Sequence, residues 1–294
     1  MNLQLNIDKL VQLSVVGEID HPTLRKSGYV INSRGQAEVY PSVGGISYNV
    51  HVGSPAVGWM ADHVEPGVSI RNSGSSAGEY SPNGALNVLA CIGNSAQVIS
   101  GEAKGARGFV TGKHGGIDHV MVDFPRETLE KLTIGDKIMI RSFGVGLQLI
   151  RYHPEILVMN LDPDLLQKFD MIAGEYLEVG VTHQIPAKLM GAGLGSISAH
   201  SGDYDIQIFD EKAIAEYHLN TLKLGDLVAI IDSDASHGWI YREGAVTIGV
   251  ISHSNSVISG HGPGVTTLLT SSGGRIKPVT DETANLIKYI GQKK

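Results

Sequence analysis

Gly105-Ala106-Arg107-Gly108-Phe109-Val110-Thr111-Gly112-Lys113-His114-Gly115-Gly116-Ile117-Asp118-His119-Val120-Met121-Val122 is the stretch that decides the fold reading. A related run returns later in the chain. Gly191-Ala192 leads to Ser198-Ala199-His200-Ser201-Gly202, then to Tyr204-Asp205-Ile206-Gln207-Ile208. His114 and His200 each stand nine residues after the opening glycine. In the same register Gly116 falls on Gly202 and His119 on Asp205. Both runs close on a Gly-Asp pair: Leu132-Thr133-Ile134-Gly135-Asp136 and Leu222-Lys223-Leu224-Gly225-Asp226. The second copy is longer by four residues in the linking segment, where added length costs little loop entropy. The pattern predicts an internal duplication. Each copy reads strand, His-Gly loop, strand, short helix, Gly-Asp turn, strand. The expected fold is a β-rich α+β protein with extra strands from both ends. Its halves would be residues 1–150 and 151–294, each with one unit.

Outward from these runs, residues 1–64 read as β-structure. Tyr29-Val30-Ile31 and Ala37-Glu38-Val39-Tyr40 flank Asn32-Ser33-Arg34-Gly35, and residues 47–52 alternate polar and apolar side chains. Residues 73–79 form a small-residue loop, and 85–92 suit a buried helix stopped by Gly93-Asn94. Short helices are expected at 126–132, after Pro125, and around 212–219. Asp162-Pro163 is a helix start, with Asp162 as N-cap. Leu165, Leu166, Phe169 and Ile172 then form an apolar stripe that reads as core. Residues 245–251 and 265–270 read as strands, and 281–290 as a helix.

Composition bounds the function. Apolar residues are 42% and charged residues 18%, which excludes a disordered chain. The 37 glycines are roughly twice the usual share of about 7% but follow no three-residue period, so collagen is excluded. With 23 basic and 30 acidic residues the net charge is −7, which disfavours general nucleic-acid binding. One cysteine, Cys91, excludes an intrachain disulfide. Its apolar surroundings make it an inert core residue rather than a nucleophile. The first residues lack the pattern of a signal peptide, and no apolar run is long enough to span a bilayer. A cytoplasmic protein without membrane partners is expected.

The paired loops carry the chemistry. If the copies face each other across an approximate two-fold axis, His114, His119, His200, Asp203 and Asp205 share a cleft. Imidazole with carboxylate suits zinc or another divalent first-row ion. His114, His119, His200 and Asp205 are the expected ligands. Glu79 or Asp203 is the expected general base and His261 the group that orients the substrate. The competing reading has His114 and His200 capping symmetric turns through backbone hydrogen bonds. His253 and the loop Gly260-His261-Gly262-Pro263-Gly264 form a second candidate, a glycine-lined anion nest. His21, His63, His153 and His218 read as surface residues. No phosphate loop, Gly-x-Ser-x-Gly elbow or complete dinucleotide fingerprint is present, so no nucleotide cofactor is expected.

Leu86-Asn87-Val88-Leu89-Ala90-Cys91-Ile92-Gly93-Asn94, Gly112-Lys113-His114-Gly115-Gly116 and Gly260-His261-Gly262-Pro263-Gly264-Val265-Thr266-Thr267 carry a resemblance. In these motifs, and over nearly the whole chain, the sequence resembles an uncharacterised family of bacterial and archaeal proteins, domain of unknown function family 4438. The resemblance implies a prokaryotic, cytoplasmic protein with N- and C-terminal parts. It transfers no activity and no catalytic residues. The leading expectation is a metal-assisted hydrolase of a small amide or carbonyl substrate. The alternatives are a non-catalytic small-molecule or metal binding protein, and an oligomeric structural protein. A homo-oligomer is expected.

Overall fold

The computed structural model of the chain describes residues 3–24, 28–74, 81–194 and 198–291. It is β-rich, with a few short helices. Six antiparallel strands close a barrel. Leu13–Ile19 pairs with Lys137–Ser142, which pairs with Ser95–Val98, and that strand pairs with Arg107–His114. Arg107–His114 pairs with His119–Asp123, which pairs with Gly67–Arg71. Glu18 opposite Arg71 and Ile19 opposite Ile70 complete the ring. Closure leaves these strands no free edge, which removes the unpaired N–H and C=O groups of an open sheet.

A second, mixed sheet covers the barrel. Its order is Leu157–Val158, Gly264–Ser271, Ile240–Ile251, Leu227–Asp234, His183–Pro186, with Tyr204–Asp205 attached to Gly264–Ser271. The two sheets meet where Lys113 N donates to Thr266 Oγ1 (3.1 Å) and Thr266 Oγ1 donates to Lys113 O (3.2 Å). The His119–Asp123 strand is consequently buried along its whole length, with neither face left to water. One apolar cluster runs from Ile70, Val110, Val120 and Ile140 of the barrel to Ile248 and Leu268 of the covering sheet. At about 25 cal/mol per Å² of apolar surface removed from water, this shared core ties the halves together. Among the described residues no helix is long and apolar enough to cross a membrane.

The first copy follows its expected order: Arg107–His114, His119–Asp123, the helix Arg126–Leu129, then Lys137–Ser142. The second departs from it. Among the described residues no strand runs into His200 as Arg107–His114 runs into His114, and Tyr204–Asp205 is a two-residue strand that pairs with Val265 and Gly264. In the first run the loop joins two strands as a direct hairpin, and among the described residues of the second run no such hairpin forms. The Gly-Asp turns do match. Gly135 has φ +87° and Gly225 φ +84°, a backbone region that glycine enters without a Cβ penalty. Asp136 Oδ2 accepts from Thr133 N, and Asp226 Oδ2 accepts from Lys223 N.

Local signals explain the smaller shifts. The helix expected at 85–92 spans Pro82–Leu89, because Ser81 caps it by accepting from Gly84 N and Pro82 fits the first turn. Asp162 caps Pro163–Leu166 as expected, accepting from Asp164 N and Leu165 N. Leu165, Leu166 and Phe169 are buried, whereas Ile172 is exposed on the short strand Met171–Ala173. Of the strand expected at 47–52 only Ser47 lies in one, the two-residue Ile46–Ser47. His51 N donates to Ser54 Oγ and Ser54 N to His51 O, so the chain turns there. The strands expected near the end form as Ile240–Ile251 and Gly264–Ser271.

Candidate functional site

Four segments converge where the barrel meets the covering sheet. His114 ends the barrel strand Arg107–His114. Asp203 and Asp205 flank buried Tyr204, and an extended chain places alternate side chains on one side. Tyr204 points the other way and stacks on Trp239, ring centroids 5.0 Å apart. His253 and His261 lie on the connection between Ile240–Ile251 and Gly264–Ser271. His63 holds φ +52°, with its N–H donated to Asn255 O. The two sequence-matched loops do meet: a Cβ built on Gly115 would stand 3.2 Å from the Gly202 Cα.

The donor atoms form two groups. In one, His114, Asp203 and His253 have ligand atoms within 4.8 Å of one another, and in the other His63, Asp205 and His261 do. His114 and His253 stack with centroids 4.3 Å apart. His253 Nε2 lies 2.7 Å from Asp203 Oδ2, in a fully buried position. It nevertheless has no hydrogen-bond partner of acceptable geometry. Its Nδ1, on the other side, lies 2.9 Å from Ser254 O and donates to it. In the neutral ring this leaves the Nε2 lone pair facing a carboxylate. Gly264 makes the room, because a Cβ there would strike both Asp203 Oδ2 and His253 Nε2.

Three of the four donor rings, those of His114, His63 and His253, are held from behind. His114 Nδ1 meets Glu65 Oε1 at 2.5 Å, and His63 Nδ1 meets Asp62 Oδ2 at 3.2 Å. Glu65 is buried and also accepts from His119 Nδ1 (3.0 Å) and from Ser69 Oγ. A carboxylate or carbonyl behind an imidazole fixes the tautomer and orients the remaining nitrogen, an arrangement common behind metal ligands. Asp203 Oδ1 accepts from Gly115 N at 2.8 Å, and Asp205 Oδ2 from Gly262 N at 3.1 Å.

Carboxylates and imidazoles in the cluster shift one another's protonation. Burial alone would raise the Glu65 carboxyl, but His119 and His114 hold it well below the usual range. Burial is likewise outweighed at Asp205, which His253, His261 and His63 hold well below its ordinary value. Asp62 falls to about 2 despite burial, through His63 and Ser256. Burial pushes His253 down, yet Asp203 and Asp205 hold it well above its ordinary value. Without another cation the cluster therefore retains protons on imidazole, which a metal ion would displace.

The expected site is only partly assembled. His114, Asp203, Asp205 and His261 come together. His119 does not join them as a ligand, because Glu65 and Asp20 occupy its two nitrogens at 3.0 and 3.4 Å. His200 is exposed and belongs to neither donor group. Its backbone carbonyl instead accepts from buried Lys113 Nζ (2.6 Å). Asp203, expected as a general base, sits among the donors. Glu79 lies outside the described residues. His63, read as a surface residue, is buried in the cluster, and His253 is a central donor. The signal for His63 was its neighbourhood, Asp62-His63-Val64-Glu65, which puts three metal-type side chains in four positions. Cys91 is buried as expected, and burial raises its thiol to about 11.

Five of the six donors, all but the fully buried His253, border a hollow of about 570 Å³. Its other walls include Thr23, Ser42, Ser198, Ser201 and the Gly115-Gly116 backbone, and among the described residues no Lys or Arg lines it. That size is typical of small-molecule sites.

Comparison with known proteins agrees with this architecture. The family described as Domain of unknown function (DUF4438), N-terminal, matches residues 29–167. Its C-terminal counterpart matches residues 168–290. A solved structure titled "Crystal structure of TM1086" is 46% identical, with a TM-score of 0.92, covering 98% of this chain and 99% of that one. No curated protein matches the chain. The chain belongs to the DUF4438 family.

Proposed function

We propose that this member of the DUF4438 family binds a divalent first-row metal ion at His114, Asp203 and His253 and hydrolyses a small amide or related carbonyl compound in the adjoining hollow. The observation that carries the reading is the buried His253 Nε2, 2.7 Å from Asp203 Oδ2 and without a hydrogen bond. Two groups with facing lone pairs repel unless a proton or a cation lies between them. Nitrogen and carboxylate donors together fit zinc and its neighbours. Three protein ligands leave a coordination position open, the usual arrangement of a catalytic ion that acidifies water and polarises a carbonyl. The hollow, free of basic side chains among its described lining residues, suits a neutral substrate with hydroxyl or amide groups. In such a hydrolysis water adds to the carbonyl carbon, the carbon–nitrogen bond breaks, and the departing nitrogen takes the proton.

We also read the two His-bearing runs as copies of one ancestral unit. Two observations support this: the alike Gly-Asp turns, and loops that touch at Gly115 and Gly202.

The test is metal analysis of purified protein followed by an amide and ester hydrolysis screen before and after chelation. Chelator-sensitive turnover that Asp203→Ala abolishes is expected. Bound metal with no turnover across the screen would reduce the protein to a binding module. A folded protein that takes up no metal would remove the proposal.

A further inference from the structure

Resting on that reading, we infer that the site holds two metal ions, with Asp205 bridging them. The second ion is held by His63, Asp205 and His261, whose ligand atoms lie within 4.8 Å of one another. Asp205 faces both groups. Its Oδ1 is 3.7 Å from His253 Nε2 in the first. Its Oδ2 is 3.1 Å from His261 Nδ1 and 3.6 Å from His63 Nε2 in the second. The His63 ring centroid is 5.5 Å from that of His114 and 5.1 Å from that of His253. Two ions roughly 3.5–4 Å apart, the spacing of two-metal hydrolytic centres, fit between rings so placed.

A second observation, independent of the donor geometry, is the charge count. Asp62, Glu65, Asp203 and Asp205 are all buried. Among the described residues only imidazoles form ion pairs with these four, and no Lys or Arg does. Burying an unbalanced carboxylate is costly, so such groups are paired or coordinate metal. Two divalent ions balance four carboxylates, and one leaves half of the charge to protons on imidazole. The backing groups follow the same division. Glu65 stands behind His114 and Asp62 behind His63, so each triad has one imidazole whose Nδ1 is held by an outer carboxylate. His261 is the most exposed of the four rings and stands at the hollow, where a second ion would meet solvent and substrate.

The experiment is zinc stoichiometry by equilibrium dialysis and elemental analysis, on wild-type protein, His261→Ala and Asp205→Asn. Two ions per chain are expected in the wild type and one in His261→Ala, with the remaining ion held at unchanged affinity. His261 is partly exposed, so this variant keeps its fold, which circular dichroism checks. Asp205→Asn should weaken both ions, each by about tenfold or more. One ion in the wild type overturns the two-ion centre and leaves the proposed function standing. No ion in the wild type overturns both. Weakening of a single ion in Asp205→Asn overturns the bridge.

Discussion

Gly115 and Gly202, from the two sequence-matched loops, meet backbone to backbone: a Cβ on Gly202 would stand 2.9 Å from the Gly115 Cα. The same contact brings Gly115 N to Asp203 Oδ1 at 2.8 Å, on the carboxylate whose other oxygen faces His253. A methyl group at residue 202 must part the loops, since the obstructing atom is backbone. Gly202→Ala should therefore fold and bind zinc at least about tenfold more weakly, because small displacements of a ligand shell are expensive. Competition titration with a chromophoric chelator measures this. Unchanged affinity would show that the loop contact does not set the donor geometry.

Glu65 touches no candidate ion position. It holds His114 and His119 through its two oxygens, at 2.5 and 3.0 Å. Glu65→Gln keeps the shape but loses an acceptor and a negative charge. Zinc affinity should fall about 10–100-fold, the usual cost of losing an outer partner. Thermal unfolding with and without zinc separates this from simple destabilisation. The zinc-dependent increment in Tm should shrink more than the metal-free Tm.

His200 supplies a contrast. The residue is exposed, and its contribution to the loop is the carbonyl that accepts from Lys113. His200→Ala should leave zinc affinity within about twofold of wild type, a change below 0.5 kcal/mol. The same titration tests it. Loss of an ion would restore His200 to the ligand set.

Asp226, in the second Gly-Asp turn and outside both donor groups, offers a pH test. Burial outweighs the bonds from Asn285 and Lys223 N and pushes its carboxyl up to about 6. The ordinary value is 3.8, so between roughly pH 4 and 6 the folded chain holds a proton that the unfolded chain has lost. Stability therefore falls as pH rises across that window, and the full penalty is present above it. The change amounts to up to roughly 3 kcal/mol. Urea unfolding of wild type and Asp226→Asn should show the difference between them varying across this window and constant above it. Parallel pH profiles would contradict the assignment.

The β-rich character, the capped start at Asp162 and Pro163, and the Gly-Asp turns were legible because each is a local signal of spacing or turn chemistry. So was the meeting of the His114 loop with Asp203 and Asp205, through the repeated pattern. Barrel closure was not, since Glu18 opposite Arg71 joins residues 53 positions apart. The place of His63 escaped, and His253 was singled out only with the 260–264 loop and not beside His114, because tertiary packing alone brings the two rings to His114, with centroids 5.5 and 4.3 Å away. His119 and His200 misled for one reason. An aligned position fixes where a backbone runs, and the neighbours decide what the ring meets: two carboxylates for His119, open surface for His200.

The most direct measurement is calorimetric titration of zinc into metal-free wild type and into His253→Ala. Wild type should bind with release of protons, as the buried imidazole gives up the one that stood in for the ion. His253→Ala should stay folded and lose at least about 100-fold in affinity for one ion, close to 3 kcal/mol. Equal binding by the two proteins, or none by the wild type, would contradict the account.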